Sequence, residues 1–330
     1  MSNQNMKKIA VFTSGGDAPG MNACIRAVVR TALNYNLEIL GIRRGYAGMV
    51  DGEFIPMNSR TVSNIIQKGG TILQSARSEA FRTPEGRLQA YENLQKRGIG
   101  GVVAIGGDGT FTGADVFCNE YPDIPFVGVP GTIDNDLYGT DFTIGYDTAI
   151  NTAMEAIDKV KDTADAHNRL FFIEVMGRDA GFIAMHTGIA TGAEAILVPE
   201  SKTDINKLVD SLHNNFRKKK TSSIVIVAEG DDTGGALEIA KLVNERFDKY
   251  DTRVTILGHV QRGGSPTCME RVRASRLGME AVKALLNGQS QIMVGVIHKD
   301  IAYTPFQKAI KHHRKVEPVL AHLAEVLSTV

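Results

Sequence analysis

The segment KIAVFTSGGDAPGMN, residues 8–22, decides the fold class. Its first part, Lys8 to Phe12, is a short apolar run of the kind that forms a strand buried in a parallel sheet. Glycine and polar residues follow in Thr13 to Gly20, and from Met21 onward the apolar residues recur with helical spacing. A strand, a glycine-rich loop and a helix in succession form the repeating unit of a doubly wound α/β protein.

The same unit recurs along the chain. Further runs rich in Val and Ile end in glycine or polar residues, and each predicts a parallel strand. They are Gly101 to Ile105, Pro125 to Val129, Leu170 to Val175, Ala195 to Val198, Ser223 to Ala228, Val254 to Leu257 and, more weakly, Ile292 to Ile297. Helix-like segments lie at Met21 to Leu33, Arg87 to Lys96, Thr148 to Asp162 and Arg271 to Leu286. Because 330 residues exceed what one hydrophobic core usually serves, we predict two doubly wound α/β lobes with mostly parallel sheets.

The composition excludes several classes of protein. Hydrophobic residues make up 43% and charged residues 22%, as in an ordinary globular protein. The 37 Lys and Arg residues equal the 37 Asp and Glu residues, so no net field attracts nucleic acid or an anionic membrane. No apolar stretch approaches the ~20 residues of a membrane-spanning helix, and the three cysteines show neither a disulfide framework nor zinc-site spacing. We therefore expect a cytoplasmic protein that acts on small molecules, without nucleic acid or membrane partners.

The glycine-rich loop Thr13 to Gly20 has the composition of a phosphate-binding loop. Glycines there let backbone N–H groups and the positive end of the following helix face a phosphate. The spacing resembles a P-loop, yet Met21 and Asn22 stand where Lys and Ser or Thr should follow. A Walker-type site is therefore excluded. Taken alone, the loop is equally compatible with a structural turn.

A second glycine-rich string, Gly106 to Thr110, follows the predicted strand Gly101 to Ile105. It sets one carboxylate, Asp108, among residues that let phosphates approach closely. Mg²⁺ is typically held by one or two carboxylates together with phosphate oxygens and water. The string therefore predicts a metal-bridged phosphoryl donor with Asp108 as a metal ligand, and it says nothing about the acceptor.

The third strand end, Pro130 to Asp136, carries two carboxylates. Asp134 and Asp136 project to the same side if this segment is extended. Phosphoryl transfer requires charge neutralisation and a group that accepts the proton of the acceptor hydroxyl. We predict Asp134 as this base. The alternative is a solvated turn, the usual state of such a tripeptide, although its position after a buried strand argues against it.

Positive charge is concentrated at comparable positions. Arginines lie beside glycine or at strand ends in the strings Met176 to Gly181 and Gly258 to Gly264 and elsewhere. Guanidinium groups match phosphate oxygens in bidentate geometry. A single arginine is more often a solvated surface residue, and a single histidine is more often structural. The set is nevertheless numerous enough to indicate phosphate binding: Arg77, Arg169, Arg178, Arg253 and Arg262, with His259.

Together these strings resemble the bacterial ATP-dependent 6-phosphofructokinase family, collinearly from about Lys8 to Gly288. The strings that carry the resemblance are Thr13 to Asn22, Gly106 to Gly109, Pro130 to Asp136, Met176 to Arg178 and Gly258 to Ser265. The resemblance implies a glycolytic kinase that uses ATP and Mg²⁺ to phosphorylate the 1-hydroxyl of fructose 6-phosphate. It also implies a homotetramer whose active sites lie between lobes and borrow residues from a neighbouring subunit.

The resemblance also implies a domain division and a set of site residues. The ATP-binding lobe would comprise 1–147 and 256–310, the fructose 6-phosphate lobe 148–255, and a C-terminal helix or tail 311–330. The ATP-binding residues implied are Gly16, Tyr46, Arg77, Ser78, Arg82, Gly107, Asp108, Gly109, Thr110 and Gly113, with Asp108 on the metal. The catalytic residues implied are Asp134, Thr132, Asp136 and Arg178. The substrate-binding residues implied are Thr132, Asp134, Arg169, Met176, Gly177, Arg178, Glu229, Arg253, His259 and Arg262, with Arg169 and Arg253 expected from the adjacent subunit.

A regulatory site for ADP or phosphoenolpyruvate is the last implication of the resemblance. Its residues would be Arg26, Arg30, Ser59, Lys161, Glu194, Arg217, Lys218, Lys219 and Lys220. Ser59 stands where the family pattern leads us to expect a basic residue. The basic run at 217–220 also has an ordinary interpretation as a solvated helix end.

The donor and the competing functions can be weighed from single residues. Similar proteins that use pyrophosphate place Asp where Gly109 stands and Lys where Gly131 stands, so the two glycines favour ATP. A pyrophosphate-dependent enzyme remains the first alternative. A non-catalytic nucleotide-sensing homologue is the second, although it would be expected to lack the carboxylates Asp108 or Asp134. A kinase acting on a dinucleotide or a lipid is the third, and the cluster around His259 and Arg262 argues against it.

Overall fold

The computed structural model describes residues 6–164, 169–217 and 223–328. Within these ranges the chain forms two compact units, both discontinuous in sequence. Unit 1 contains Met1–Ile133, Leu137–Thr148 and Arg262–His313, and unit 2 contains Asp134–Asp136, Ala149–Gln261 and Arg314–Val330. The lobe boundaries drawn from the sequence stay a prediction.

Strands alternate with helices in both units. The strands are β1 (Lys8–Thr13), β2 (Glu38–Ile42), β3 (Phe54–Pro56), β4 (Val102–Gly106), β5 (Phe126–Thr132), β6 (Ile144–Gly145), β7 (Arg169–Val175), β8 (Ala195–Leu197), β9 (Ser223–Ala228), β10 (Asp251–Ile256), β11 (Ile292–Ile297) and β12 (Asp300–Pro305). The helices are α1 (Met21–Asn34), α2 (Gly45–Asp51), α3 (Pro84–Lys96), α4 (Asp108–Glu120), α5 (Tyr146–Ala164), α6 (Phe182–Thr191), α7 (Ile205–Arg217), α8 (Gly235–Asn244), α9 (Cys268–Leu286), α10 (Phe306–Lys311) and α11 (Pro318–Ser328). Every predicted strand overlaps an observed one, and the mostly parallel α/β class is confirmed.

The sheet of unit 1 has the strand order β12-β11-β5-β4-β1-β2-β3, with β6 paired to β5. The central pairs are parallel, with Val11 opposite Val103 and Val103 opposite Val127. These three side chains are fully buried, which explains why the strands read as continuous apolar runs. The chain moves from β1 to β2 on one side and later to β4 on the other. The boundary between β1 and β4 is therefore a topological switch point, where open α/β sheets bind ligands.

The sheet of unit 2 has the order β10-β7-β9-β8, and all its pairs are parallel. Val175 pairs with Ala228 at the carboxyl ends of β7 and β9. The residues that follow these two strands are consequently neighbours. Leu170, Phe172 and Val225 are fully buried in its core. In the described ranges, no helix of either unit is both long and apolar enough to span a bilayer.

A buried carboxylate joins two helix starts in unit 1. Glu270, on α9, is 1% exposed. Its Oε2 accepts hydrogen bonds from Thr148 N at 3.2 Å and Thr148 Oγ1 at 3.3 Å, so it satisfies free donors in the first turn of α5. The side chain also lies against Gly20, whose added Cβ would come within 2.9 Å of Glu270 Cγ. Burial raises the pKa of Glu270 to about 7, and the charge of Asp147 adds to this, whereas the donors of Thr148 and Gly145 oppose it.

Replacing Glu270 by Gln should flatten the dependence of stability on pH. The carboxyl has a pKa of 4.5 when unperturbed and about 7 in the folded protein. The contribution of Glu270 to the free energy of unfolding is therefore full when the pH is below the pKa of its carboxyl in the unfolded chain. This contribution falls by up to ~3 kcal/mol as the pH rises to about 7. Gln cannot ionise and still accepts hydrogen bonds. Urea unfolding from pH 4.5 to 7.5 measures the difference, with the exposed Glu85→Gln as control. An unchanged slope in Glu270→Gln would show that another group is responsible.

Candidate active site

The two glycine-rich loops of unit 1 lie side by side at the switch point. Ser14 N donates to Ile105 O at 3.0 Å. A Cβ at Gly106 would come within 2.6 Å of Ser14 O, so the approach requires glycine. Gly15 has φ +84°, a left-handed conformation that favours glycine. The loop carrying Gly16 and the loop carrying Gly107 therefore form one surface.

Asn22 has a structural role that the sequence analysis missed. It is buried, and its Nδ2 donates to the backbone oxygens of Lys68 and Gly69, both at 3.1 Å. Ser75 Oγ donates to Gly15 O at 2.6 Å. These bonds tie the chain that leads to Arg77 onto the first glycine loop. The one signal of this role in the sequence was Asn22 itself, which stands where a P-loop has Ser or Thr.

The start of α4 holds two buried polar atoms. Asp108 Oδ1 and Thr110 Oγ1 have no hydrogen-bond partner among the described residues. Buried polar atoms are normally paired, so a pair of unsatisfied ones indicates that a ligand completes the site. Thr110 Oγ1 is 3.9 Å from the Cβ position of Gly15, which places it between the two glycine loops. Gly109 is exposed, and a Cβ there would meet no atom within 4 Å.

Thr132, at the end of β5, lies beside the second glycine loop. Its Cβ is 3.7 Å from the Cβ position of Gly107. Thr143 Oγ1 donates to Thr132 O at 2.6 Å, and Thr132 pairs with Gly145 of β6. Thr132 therefore joins the residues predicted to bind the nucleotide, and β6 holds it there.

Tyr46 and Gly113 come together at α4, but the tyrosine ring lies in the core. Tyr46 is 7% exposed, and its hydroxyl donates to Thr110 O at 2.6 Å. The ring stacks on Phe81 with centroids 4.0 Å apart. A Cβ at Gly113 would lie 3.0 Å from the Tyr46 ring. Tyr46 thus stabilises the first turn of α4 from the core side, and its ring is not exposed to solvent.

The remaining predicted nucleotide residues surround a short 3-10 helix, Ala80–Arg82. Ser78 Oγ accepts from Phe81 N at 3.2 Å, so it caps this turn. Arg82 is exposed and lies 3.6 Å from Glu79. Arg77 is exposed as well. Both arginines are therefore accessible to a ligand.

In unit 2, Arg178 approaches Asp134. Arg178 Nε lies 3.6 Å from Asp134 Oδ2; the arginine side chain is 64% exposed and the aspartate side chain 3%. Asp134 and Asp136 were predicted to project to the same side if their segment is extended, and this condition is not met. Asn135 between them has φ +55°, a left-handed conformation that Asn tolerates better than most residues.

The C-terminal region contributes to this loop, which the sequence analysis did not foresee. Arg314 N donates to Asp136 O at 2.8 Å, and the Arg314 guanidinium lies 5.1 Å from the Phe182 ring centroid. A backbone hydrogen bond to a distant arginine leaves no pattern in the sequence.

The other residues predicted to contact the sugar follow β7 and β9. Met176 and Gly177 are buried, and Glu229 is exposed at the neighbouring strand end. Glu229 Oε1 accepts hydrogen bonds from Gly177 N at 3.2 Å and Arg178 N at 2.8 Å. Glu229 is therefore bound to the backbone of the loop that carries Arg178.

Two of the predicted phosphate-binding arginines share a carboxylate. Arg169 Nε is 3.3 Å and Arg253 Nη2 2.9 Å from Asp251 Oδ2, across the β7 to β10 pairing. Two cations around one anion leave one positive charge available. Asp251 was missed because its role depends on strand register. His259 is exposed.

Arg262 lies against the first glycine loop. A Cβ at Gly16 would overlap its guanidinium, and Arg262 Nη1 donates to Asp17 O at 3.3 Å. The structure therefore brings a residue predicted to bind the sugar phosphate to a residue predicted to bind the nucleotide.

The predicted effector residues are spread over both units. Arg26 and Arg30 lie one turn apart on α1, Ser59 is exposed, and Glu194 and Arg217 are partly or fully accessible. Lys161 Nζ donates to Thr191 O at 2.8 Å, so it caps the carboxyl end of α6. Lys218, Lys219 and Lys220 lie outside the residues that the structure describes.

Comparisons with known proteins agree over nearly the whole chain. A family model described as phosphofructokinase matches residues 8–285. The ATP-dependent 6-phosphofructokinase of Cytophaga hutchinsonii is 58% identical over 98% of this chain and 98% of its own length. ATP-dependent 6-phosphofructokinase 1 of Thermus thermophilus is 56% identical, over 98% of this chain and 100% of its own length. A solved phosphofructokinase structure from Saccharomyces cerevisiae is similar with a TM-score of 0.88 at 37% identity, over 98% of this chain and 47% of that chain, so this chain spans about half of the yeast one. The chain belongs to the phosphofructokinase family.

Proposed function

We propose that this chain is a kinase that transfers the γ-phosphoryl group of ATP to the 1-hydroxyl of fructose 6-phosphate in glycolysis. The observation that carries the proposal is the pair of adjoining glycine loops at the switch point, with Asp108 Oδ1 and Thr110 Oγ1 buried and unsatisfied among the described residues. The relatives above, named for this activity, support the same acceptor and donor.

The divalent metal that such a kinase needs would be Mg²⁺, held by Asp108. When bound, the ion neutralises charge on the donor phosphates. The fit is good because a single buried, unsatisfied carboxylate oxygen at a helix start suits an ion that keeps most of its waters. In the described ranges, no three His, Cys, Asp or Glu side chains converge on one point. The remaining ligands would therefore be phosphate and water.

Asp134 would accept the proton of the acceptor hydroxyl. Its carboxylate is nearly buried, and the guanidinium of Arg178 lies 3.6 Å away. This cation is available to the charge of the moving phosphoryl group. Thr132 and Asp136 would align that group.

The sugar phosphate would be held by arginine. Arg169 and Arg253 share Asp251 and leave positive charge for the 6-phosphate, while His259 and Arg262 would complete the cluster. Met176, Gly177 and Glu229 would contact the sugar. We further propose a cytoplasmic homotetramer in which Arg169 and Arg253 serve a neighbouring subunit, with ADP or phosphoenolpyruvate as effector. These last assignments rest on family membership.

The space around two glycines supports ATP over pyrophosphate. A Cβ at Gly109 would meet no protein atom within 4 Å, so the space beside it is free for a ligand. A Cβ at Gly131 would lie 3.0 Å from Met21 Cε and 3.2 Å from Ile105 Cγ2. A lysine at 131 would therefore require repacking of Met21 in this chain.

The proposal is tested by a coupled assay with fructose 6-phosphate and Mg²⁺, offered ATP or pyrophosphate in parallel. We expect turnover with ATP alone. Turnover with pyrophosphate alone would overturn the donor argument but keep the acceptor. Absence of turnover with both donors would favour the non-catalytic homologue.

Replacing Asp134 by Ser should lower kcat by about 10² to 10⁴-fold, because a positioned general base contributes roughly that factor. The KM values for both substrates should change little. Asp134→Asn is the matched variant, since it keeps the size of the side chain and removes the proton acceptor. Steady-state kinetics of both variants are the measurement, and near-normal turnover in either would remove Asp134 from the role.

Replacing Gly109 by Ala should raise the KM for ATP about tenfold, since a misplaced methyl in a filled site costs ~1 to 3 kcal/mol. The KM for fructose 6-phosphate should not change. Thermal unfolding should be unaffected, because the methyl meets no protein atom within 4 Å. Gly131→Ala is the contrasting variant and should unfold at lower temperature, because its methyl meets Met21 and Ile105. A loss of stability in Gly109→Ala would contradict this account.

A further inference from the structure

The loop after β7 holds Arg178 in a backbone conformation that non-glycine residues rarely adopt. Arg178 has φ +50°, and Gly177 before it has φ +146°. The left-handed conformation is unfavourable for a side chain with a Cβ. Such a residue persists only where the surrounding structure determines it.

The Glu229 carboxylate stabilises this backbone conformation of Arg178. Its Oε1 accepts from two successive backbone donors, Gly177 N at 3.2 Å and Arg178 N at 2.8 Å. Hydrogen bonds to a carboxylate are stronger than those between neutral groups, and two successive N–H groups around one oxygen form an anion-binding nest. Glu229 is itself fixed, because its N donates to Val175 O at 2.9 Å directly after the paired strands.

The neighbouring backbone closes the turn from two further sides. A Cβ at Gly230 would overlap the carbonyl oxygen of Arg178, so only glycine allows this approach. Ala180 N donates to Gly177 O at 3.0 Å. The strained residue therefore lies between β7, the Glu229 carboxylate and Gly230.

Among the described residues, packing gives the guanidinium of Arg178 little support. Its side chain is 64% exposed, so dense packing does not hold it 3.6 Å from Asp134. The direction of the Arg178 Cα–Cβ bond, which the backbone sets, limits where the guanidinium can lie. We propose that Glu229 is a positioning residue for phosphoryl transfer, whose carboxylate fixes the Gly177–Arg178 backbone and thereby orients the Arg178 guanidinium at Asp134. The proposal rests on the proposed function and adds to the expected contact of Glu229 with the sugar.

Two variants at position 229 distinguish the effect of side-chain length on kcat from the effect of charge. Glu229→Gln keeps the length and an oxygen acceptor but loses the charge, and we expect kcat to stay within about tenfold of the wild type. Glu229→Asp keeps the charge but is one methylene shorter, and kcat should fall about 10²-fold, the loss that a ~1 Å misplacement produces. If Glu229 acted only by binding the sugar, both variants would raise the KM for fructose 6-phosphate and leave kcat unchanged. That result would overturn the proposal.

A double-mutant cycle tests whether Glu229 acts through Arg178. In an Arg178→Ala background, adding Glu229→Asp should change kcat by less than about threefold, because the side chain that it orients is gone. The same ~10²-fold loss in both backgrounds would show an independent effect and would overturn the proposal.

Glu200 offers a matched control in the same unit. Its Oε1 accepts from Gly181 N at 2.9 Å, three residues beyond Arg178. Glu200→Ala should therefore lower the melting temperature but leave kcat within about threefold. An equal loss of kcat in Glu200→Ala would mean that general loosening of the unit explains the effect and would overturn the proposal. A wild-type chain without turnover would instead contradict the proposed function.

Discussion

The parallel pairing of β1 with β4 is the constraint on which the nucleotide side of the site depends. Chain connectivity sends β2 to one side of β1 and β4 to the other, so the residues after β1 and β4 meet at one edge of the sheet. Gly106 then lies so close to Ser14 O that a side chain is excluded. Since β5 pairs with β4 on the far side, Thr132 reaches the same edge. The surface that is proposed to bind phosphate thus follows from strand order before any side chain is considered.

In unit 2, the residues that follow two adjacent parallel strands also come together, but they carry different chemical groups. The carboxyl ends of β7 and β9 are adjacent. Glu229 therefore lies close enough to accept hydrogen bonds from the backbone N–H groups of Arg178 and of the residue before it. The loop after β7 is strained and is bound by a carboxylate. In the loop after β1, glycine adopts the left-handed conformation without strain. A fixed backbone at Arg178 fixes the direction of its Cα–Cβ bond, which limits the region that the guanidinium can reach.

The sequence predicted the strand ends well and the supporting contacts poorly. Apolar runs bounded by glycine located β1, β4, β5, β7 and β9, because buried parallel strands leave that pattern. Four strands were missed, since their short or half-exposed runs resemble loops: β2, β3, β6 and β12. Asp251 and Arg314 were missed because strand register and a distant backbone hydrogen bond bring them to the site. The extended geometry considered for residues 134–136 is also absent, because a positive φ at one Asn leaves no signature that separates it from a strand extension.

The helices that follow β1 and β4 in unit 1 start differently from α6 and α8 in unit 2, and this affects how each unit can bind an anion. In unit 1, neither α1 nor α4 has a side-chain hydrogen bond from its N-cap residue, which is glycine in both cases, so these positive helix ends suit phosphate. In unit 2, carboxylates already occupy the corresponding donors: Glu200 binds Gly181 N and Glu174 binds Ala236 N at 2.9 Å. A phosphate would be repelled there. Anion binding in unit 2 must therefore depend on arginine side chains, which agrees with the exposed guanidinium groups of Arg178 and Arg253.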